Sequence, residues 1–302
     1  MKQDPKLLIA LDQAETPSYH LDLELQAYSN YSNVKTVIGS VTDESRMASI
    51  FKTYSPNVIF HAAAYKHVPL MEDNPEEASK TNILGTFTTA KLSSVHKAEC
   101  FVMVSTDKAV NPTNIMGASK RAAEHVVSYI NRQHTNQTRF VTTRFGNVLG
   151  SNGSVIPLFK KQLEAGGPIT LTHKDITRYF MTIPEAVRLV LEAGHMGKGG
   201  ELYVFDMGQP IKIYDLAVNL IKLSGLIPGK DIQIIETGLR PGEKLYEELL
   251  ADTETTKPTH HKQIFIAAAN SLTQDEVVEL THRVQTSGNW TELIAEYAPD
   301  SI

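Results

Sequence analysis

Short apolar runs recur along the chain, most of them closed by a small or polar group. Residues 6–11 (KLLIAL) end on Asp12, and Val34–Ile38 (VKTVI) ends on Gly39. Residues 58–64 (VIFHAAA) form the third run, and 101–104 (FVMV) lead into Ser105-Thr106-Asp107. Arg139–Arg144 (RFVTTR) leads into Phe145-Gly146-Asn147, and Leu202–Phe205 (LYVF) is the sixth. Runs this short, rich in β-branched and aromatic residues, predict buried strands. Between them lie segments of helical period at 43–54, 75–95, 118–133 and 154–164; the first places Met47, Ile50 and Phe51 on one side. Strand alternating with helix predicts an α/β fold, a doubly wound parallel sheet with helices on both faces and right-handed crossovers.

Past residue 150 the alternation loosens. Gly150-Ser151-Asn152-Gly153 and Gly166-Gly167-Pro168 are loop signals. Helical pattern returns at 184–192, Ile213–Leu223 and 244–250, and the tail at 271–297 reads as two helices with Ser271 as N-cap. The organisation expected is a nucleotide-binding unit at 1–150, rejoined by about 176–210, and a smaller substrate lobe with a helical tail at 151–302. Ligands of open parallel sheets bind beyond the carboxyl ends of the strands. Asp12, Gly39-Ser40, residues 62–66, residues 105–108 and Gly146-Asn147 all fall at such ends.

The chain has 302 residues, enough for one large domain or two modest ones. Its net charge of −5 argues against a nucleic-acid partner while leaving room for a local basic pocket. The single Cys100 excludes an internal disulfide framework and a multi-cysteine zinc site. No run approaches the roughly 20 apolar residues of a membrane span. No metal site is expected: His61 and His67 have no carboxylate at ligand spacing, and His260-His261 reads as a surface pair.

Each candidate residue has two readings. Asp12 is an acid placed to hold a ribose diol, or a turn residue. His61-Ala62-Ala63-Ala64 offers bare backbone to a cofactor, or tight helix–strand packing. Thr106, Asp107 and Lys108 put a hydroxyl, an acid and a base side by side after a strand, a set able to divide proton-transfer roles; a solvated turn has the same composition. Met116 and Lys120 share one helix face, where methionine is ordinarily core and lysine ordinarily surface. Arg178, and Arg240 with Lys244, are candidate anion contacts.

In combination the motifs are more specific. HAAAYKHVPLMEDNP (61–75), TNILGT (81–86), STDKAVNPTNIMGASK (105–120), RFGNVLGSNGSVIPLF (144–159) and RPGEKLYEELL (240–250) occur in this order. Together they resemble the CapD-type polysaccharide-biosynthesis group of UDP-N-acetylglucosamine 4,6-dehydratases, within the extended short-chain dehydrogenase/reductases. The resemblance spans about residues 6–268 and implies a Rossmann-like fold that holds NAD, with NADP the weaker candidate. It implies a redox-neutral reaction: hydride leaves C4 of the sugar, water is lost across C5 and C6, and hydride returns to C6. Lys108 would be the base at C5, Asp107 the acid at the C6 hydroxyl, and Thr106 a hydrogen-bond partner of the 4-hydroxyl. Lys120 would hold the nicotinamide ribose, Asp12 the adenosine ribose, and Ser40 and Val41 the adenine. Ala62, Ala63 and Tyr65 would line the nicotinamide side, with Asn82 behind. Lys66, Asn147, Arg178, Arg240 and Glu243 would surround the UDP-sugar. A homo-oligomer is expected, in the cytoplasm or on the cytoplasmic face of a bacterial inner membrane within a longer parent protein.

Two departures qualify these implications. Met116 occupies the position of the superfamily's usual tyrosine, and a thioether is no base, so Asp107 or a water chain through Thr106 would take the 4-hydroxyl proton. The Met variant resembles the large membrane-anchored subset of the group. The TGAGGSIG-like turn that cradles the cofactor pyrophosphate is absent from the sequence. Its absence predicts weak NAD binding, slow turnover and a sheet without its central strand. The alternatives are a UDP-sugar 4-epimerase, which has no need of the Asp107-Lys108 pair, and an impaired sugar-nucleotide-binding module.

Overall fold

A computed structural model of the chain describes residues 4–133, 136–151, 153–250, 255–267, 273–286, 292 and 296. Its strands are β1 (Leu8–Asp12), β2 (Val34–Ile38), β3 (Val58–His61), β4 (Cys100–Val104), β5 (Arg139–Arg144), β6 (Asn147–Leu149), β7 (Ile169–Leu171), β8 (Thr177–Arg178), β9 (Phe180–Thr182), β10 (Leu202–Phe205), β11 (Ile211–Lys212), β12 (Ile234–Glu236), β13 (Thr256–Pro258) and β14 (Ile264–Ala267). Its helices are α1 (Glu15–Leu25), α2 (Glu44–Tyr54), α3 (Val68–Glu72), α4 (Pro75–Ala78), α5 (Gly85–Val95), α6 (Ile115–Asn131), α7 (Val155–Glu164), α8 (Ile183–Met196), α9 (Ile213–Leu223) and α10 (Gln274–Thr286).

The main sheet has six strands in the order β13-β14-β10-β5-β4-β3. β3, β4, β5 and β10 run parallel, while β14 and β13 add an antiparallel edge. β4 reads as a continuous apolar run because it is covered on both faces: Phe101, Val102 and Met103 are inaccessible to solvent. α5, α6 and α10 bury one face through Ala90, Val126, Val127 and Leu280. α8 packs on the other through Ala186, Leu189 and Ala193.

β1 and β2 pair with each other, in parallel, as a separate sheet of two strands. Among the described residues no ladder joins β1 to β3. The two are nonetheless held over one floor, because Ile9, Leu11 and Ile59 all pack on the cluster of Met47, Ile50, Phe51 and Leu92 from α2 and α5. Across the open position, Val58 and Phe60 of β3 stay exposed on the α8 side. The parallel sheet is therefore divided at the place where its central strand was expected to be missing.

Local chemistry explains most element ends. Asp43 caps α2 by accepting from the Arg46 amide at 2.9 Å, and Ser55 closes it in the left-handed region. Asn114 caps α6, accepting from the Gly117 amide at 2.8 Å. Thr182 and Glu185 form a reciprocal box at the start of α8.

Four segments depart from the sequence pattern. Residues 75–95 are not one helix: Ser79–Leu84 form a wider π-type turn between α4 and α5. There the Asn82 side chain is drawn to the Tyr65 backbone, and Thr86, Thr89 and Ser93 each donate to the carbonyl four residues back. Residues 244–250 are not helical. They run as a strap whose backbone serves β8, the Leu245 carbonyl accepting from the Thr177 amide at 3.1 Å. α1 escapes the pattern because Ser18 is its only buried residue while Tyr19, Leu21 and Leu23 stay exposed. In the tail, Thr273 and Glu276 cap α10, and the expected Ser271 cap lies outside the described residues. Among the described residues no helix is long and apolar enough to cross a membrane.

Candidate active site

A cavity of roughly 310 Å³ opens past the carboxyl ends of the main sheet, between it and the smaller elements β7, β8, α7 and α9. Lys66, Lys108, Asn147, Arg178, Arg240 and Glu243, all expected from the sequence, line it together. Glu247 and Lys244 join them from the strap; sequence reasoning missed Glu247 because a glutamate in a helical pattern reads as a solvated face.

The chemistry concentrates at Asp107 and Lys108. Thr106 caps the short turn after β4, and its hydroxyl donates to Asp107 Oδ1 at 2.9 Å. Lys108 Nζ lies 3.0 Å from the same oxygen, 3.3 Å from Glu247 Oε1 and 3.4 Å from Asn147 Oδ1. Asp107 is 1% exposed, and its Oδ2 has no hydrogen-bond partner among the described residues. Burial alone would pull the Lys108 amine down, but the carboxylates of Asp107 and then Glu247 overcome it and hold the pKa above the ordinary lysine value. Two glycines leave room for this packing. A Cβ on Gly117 would sit 2.1 Å from the Lys108 carbonyl oxygen, and one on Gly146 would sit 3.0 Å from Asp107 Oδ2.

Arg178 is held deeper than a scattered surface arginine. It is 7% exposed and donates to the Thr177 and Leu245 carbonyls at 2.7 and 3.3 Å. Its Nη2 lies 3.5 Å from Glu243 Oε1, and Glu243 Oε2 is in turn 3.5 Å from the exposed Arg240 Nε.

The residues expected around a dinucleotide are not in the lining of this cavity. Asp12 Oδ1 accepts from the Ala14 amide at 2.8 Å. Gln13, which the sequence reading passed over, bridges the open position: it accepts from Ser40 Oγ and donates to Tyr65 Oη, each at 3.2 Å. Val41 is buried and packs its side chain in the core beside Gly85. Ala62 and Ala63 are exposed directly after β3. Asn82 accepts from the Tyr65 amide at 2.8 Å and donates to its carbonyl at 3.0 Å, so it sets the backbone of Tyr65. Met116 is 3% exposed and packs with Tyr65, Val68 and Met71.

Lys120 is buried and donates to the Val104 carbonyl at 2.8 Å. Burial brings its pKa down to about 8, against the opposing charge of Glu124. His61 stacks on Phe101 and pairs with the Thr86 hydroxyl at 2.9 Å, which is the packing reading of that residue. Burial, then the Lys120 charge, lowers it to about 3, so it stays neutral. Behind β4, Ser105 turns away from the cavity and donates to Glu124 Oε1 at 2.6 Å, while Arg144 Nη2 meets Glu124 Oε2 at 2.7 Å. Burial pushes the Glu124 carboxyl up, but Arg144 outweighs it and holds the group below the usual range.

Fold and site together define a Rossmann-type α/β protein whose cavity, lined by both charged and apolar side chains, lies past the carboxyl ends of parallel strands. A family model described as polysaccharide biosynthesis protein matches residues 1–269, and the chain belongs to that family. It is 50% identical over 277 residues to the Staphylococcus aureus capsular polysaccharide biosynthesis protein CapD, covering 91% of this chain and 46% of that protein. The chain thus spans just under half of that relative. It is 35% identical over 234 residues to the inverting UDP-N-acetylglucosamine 4,6-dehydratase of Campylobacter jejuni, covering 77% of this chain and 67% of that one. Rickettsia proteins named UDP-glucose 4-epimerase match at similar identity. Among solved structures, Pen from Bacillus thuringiensis superposes with a TM-score of 0.81 at 32% identity, covering 94% of this chain and 91% of that one.

Proposed function

We propose that this chain is the catalytic domain of a UDP-N-acetylglucosamine 4,6-dehydratase, or of one acting on a related UDP-sugar, that makes a 4-keto-6-deoxy sugar nucleotide for a surface polysaccharide. The observation that supports the reading is the linked Thr106–Asp107–Lys108 set, in which Asp107 is buried and Lys108 lines a cavity that Arg178 and Arg240 also line. Bound UDP would place its phosphates toward the two arginines and its sugar toward Lys108.

The residues present suit NAD at both riboses: Asp12 and Ser40 for the adenosine end, Lys120 and Tyr65 for the nicotinamide end, with bare backbone at Ala62 and Ala63 between them. NAD would supply the acceptor and donor of the hydride. The pyrophosphate finds no glycine-rich turn in this sequence.

Proton transfer then falls to the chain itself. Thr106 hydrogen-bonds the 4-hydroxyl and relays its proton to Asp107. Once Asp107 is protonated, Glu247 is the one carboxylate among the described residues still paired with Lys108, so the ammonium is held less strongly and releases its proton to solvent to become the free amine. The C5 proton, acidified by the C4 ketone, passes to Lys108 Nζ while Asp107 returns its proton to the departing C6 hydroxyl, which leaves as water. Lys108 gives the proton back to C5 when C6 is reduced. Met116 takes no proton and packs beside Tyr65.

The test is to incubate the chain with UDP-N-acetylglucosamine and millimolar NAD and follow the sugar by NMR, with saturation transfer to UDP read alongside. Slow appearance of a 4-keto-6-deoxy product is expected, and Asp107→Asn should abolish C4 oxidation. An epimer would transfer the assignment to a 4-epimerase. Unchanged sugar with no saturation transfer to UDP would overturn the reading.

A further inference from the structure

Charges of alternating sign run from buried Asp107 into the cavity lining. Asp107 Oδ1, Lys108 Nζ, Glu247 Oε1, Arg178 Nε and Nη2, and Glu243 Oε1 follow one another at 3.0, 3.3, 3.6 and 3.5 Å. Glu247 is the middle member, and the motif chemistry does not account for it. Its side chain is 3% exposed, and a buried carboxylate is tolerated only with partners. One oxygen, Oε2, has no hydrogen-bond partner among the described residues. The other is shared between two cations, Lys108 and Arg178. The strap at 244–250 abandons the helix its sequence favours and so delivers this carboxylate beside Lys108.

We propose that Glu247 is a positioning residue for Lys108: it keeps the ammonium in the cavity lining when Asp107 is protonated, and ties the reacting end of the site to Arg178. The proposal rests on the dehydratase reading for its role in turnover, but the contact it describes belongs to the ligand-free protein. Charged and polar groups face Lys108 from each element around it: Asp107 on its own turn, Asn147 on β6, Arg178 on β8 and Glu247 on the strap. Asp107 and Glu247 favour its charge and Arg178 opposes it. Once Asp107 takes the 4-hydroxyl proton, Glu247 is the carboxylate left beside Nζ. It then limits how far the amine swings and how readily it sheds its proton.

The experiment is competitive acetylation of the folded, ligand-free chain at pH 7–9, with Lys108 labelling read by peptide mass spectrometry against an exposed lysine. Only the free amine reacts, so the rate follows the uncharged fraction. Loss of a carboxylate at this distance should lower the Lys108 pKa by about one unit and raise its labelling about tenfold in Glu247→Gln. Glu247→Asp, which keeps the charge, should stay within about threefold of the parent. Asn147→Ala, which opens access without removing charge, should do the same. Equal labelling of parent and Glu247→Gln overturns the proposal. So does a tenfold rise in folded Glu247→Asp, which also decides the matter if the Gln variant does not fold. Neither readout involves substrate, so failure to form product would count against the dehydratase reading alone.

Discussion

At the scale of single residues, the site is built from groups that tolerate little change. Gly117 lies on α6 against the Lys108 carbonyl, where any Cβ collides with backbone rather than with a side chain that can yield. Gly117→Ala should destabilise the chain by about 3 kcal/mol, read as a lower urea midpoint. Arg144 is fully buried against Glu124. Arg144→Met would leave that carboxylate buried beside Ser105 without its main partner, with an expected loss of about 3–5 kcal/mol by the same measurement. At this scale the motif around Asp107 was legible, because neighbours in sequence are neighbours in space. Glu247 was not, since its partners lie far away along the chain and meet it only through the fold.

At the scale of elements, buried strands showed clearly in the pattern and helices less so. β2, β5 and β10 coincide with their short runs of β-branched and aromatic residues; β10 is buried along its whole length, whereas β2 buries Val34 and Val37 and exposes Lys35 and Ile38. α1 was hidden by its thin burial, and 244–250 misled because tertiary hydrogen bonds to β8 replaced those a helix would have made. The separate pair β1–β2 has no ladder to β3 among the described residues and leans on the main sheet through the α2–α5 cluster and the Gln13–Tyr65 hydrogen bond. Amides of β1 and β2 should therefore exchange with deuterium faster than those of β4 and β5 in native-state exchange. Equal protection would mean that the two sheets open as one unit.

At the scale of the whole molecule, acid should unfold the chain through its buried histidines. His61 is lowered to about 3 by burial and Lys120, and His125 to about 4 by burial and Arg121. Both are neutral when folded and titrate near 6.5 when unfolded. Between about pH 6.5 and these lowered values the unfolded chain binds more protons, so stability rises with pH and falls as pH drops through that window. Each histidine contributes a slope of up to about 1.4 kcal/mol per pH unit. Denaturant titrations at pH 7, 6 and 5 should show a steady loss, and a flat profile would contradict the burial of both rings.

Written locally in the residue order are the alternation of strand and helix, the caps at Asp43 and Asn114, the motif at 105–120 and the missing glycine turn. These depend on residues a few positions apart, whose period and hydrogen bonds act before any distant contact forms. Folding at long range decides the rest. It divides the sheet between β1 and β3, turns Val41 and His61 inward, and gathers Lys108, Arg178 and Glu247 around one cavity. No local pattern encodes those outcomes, because each depends on burial and charge shared between segments that meet only when the chain is packed.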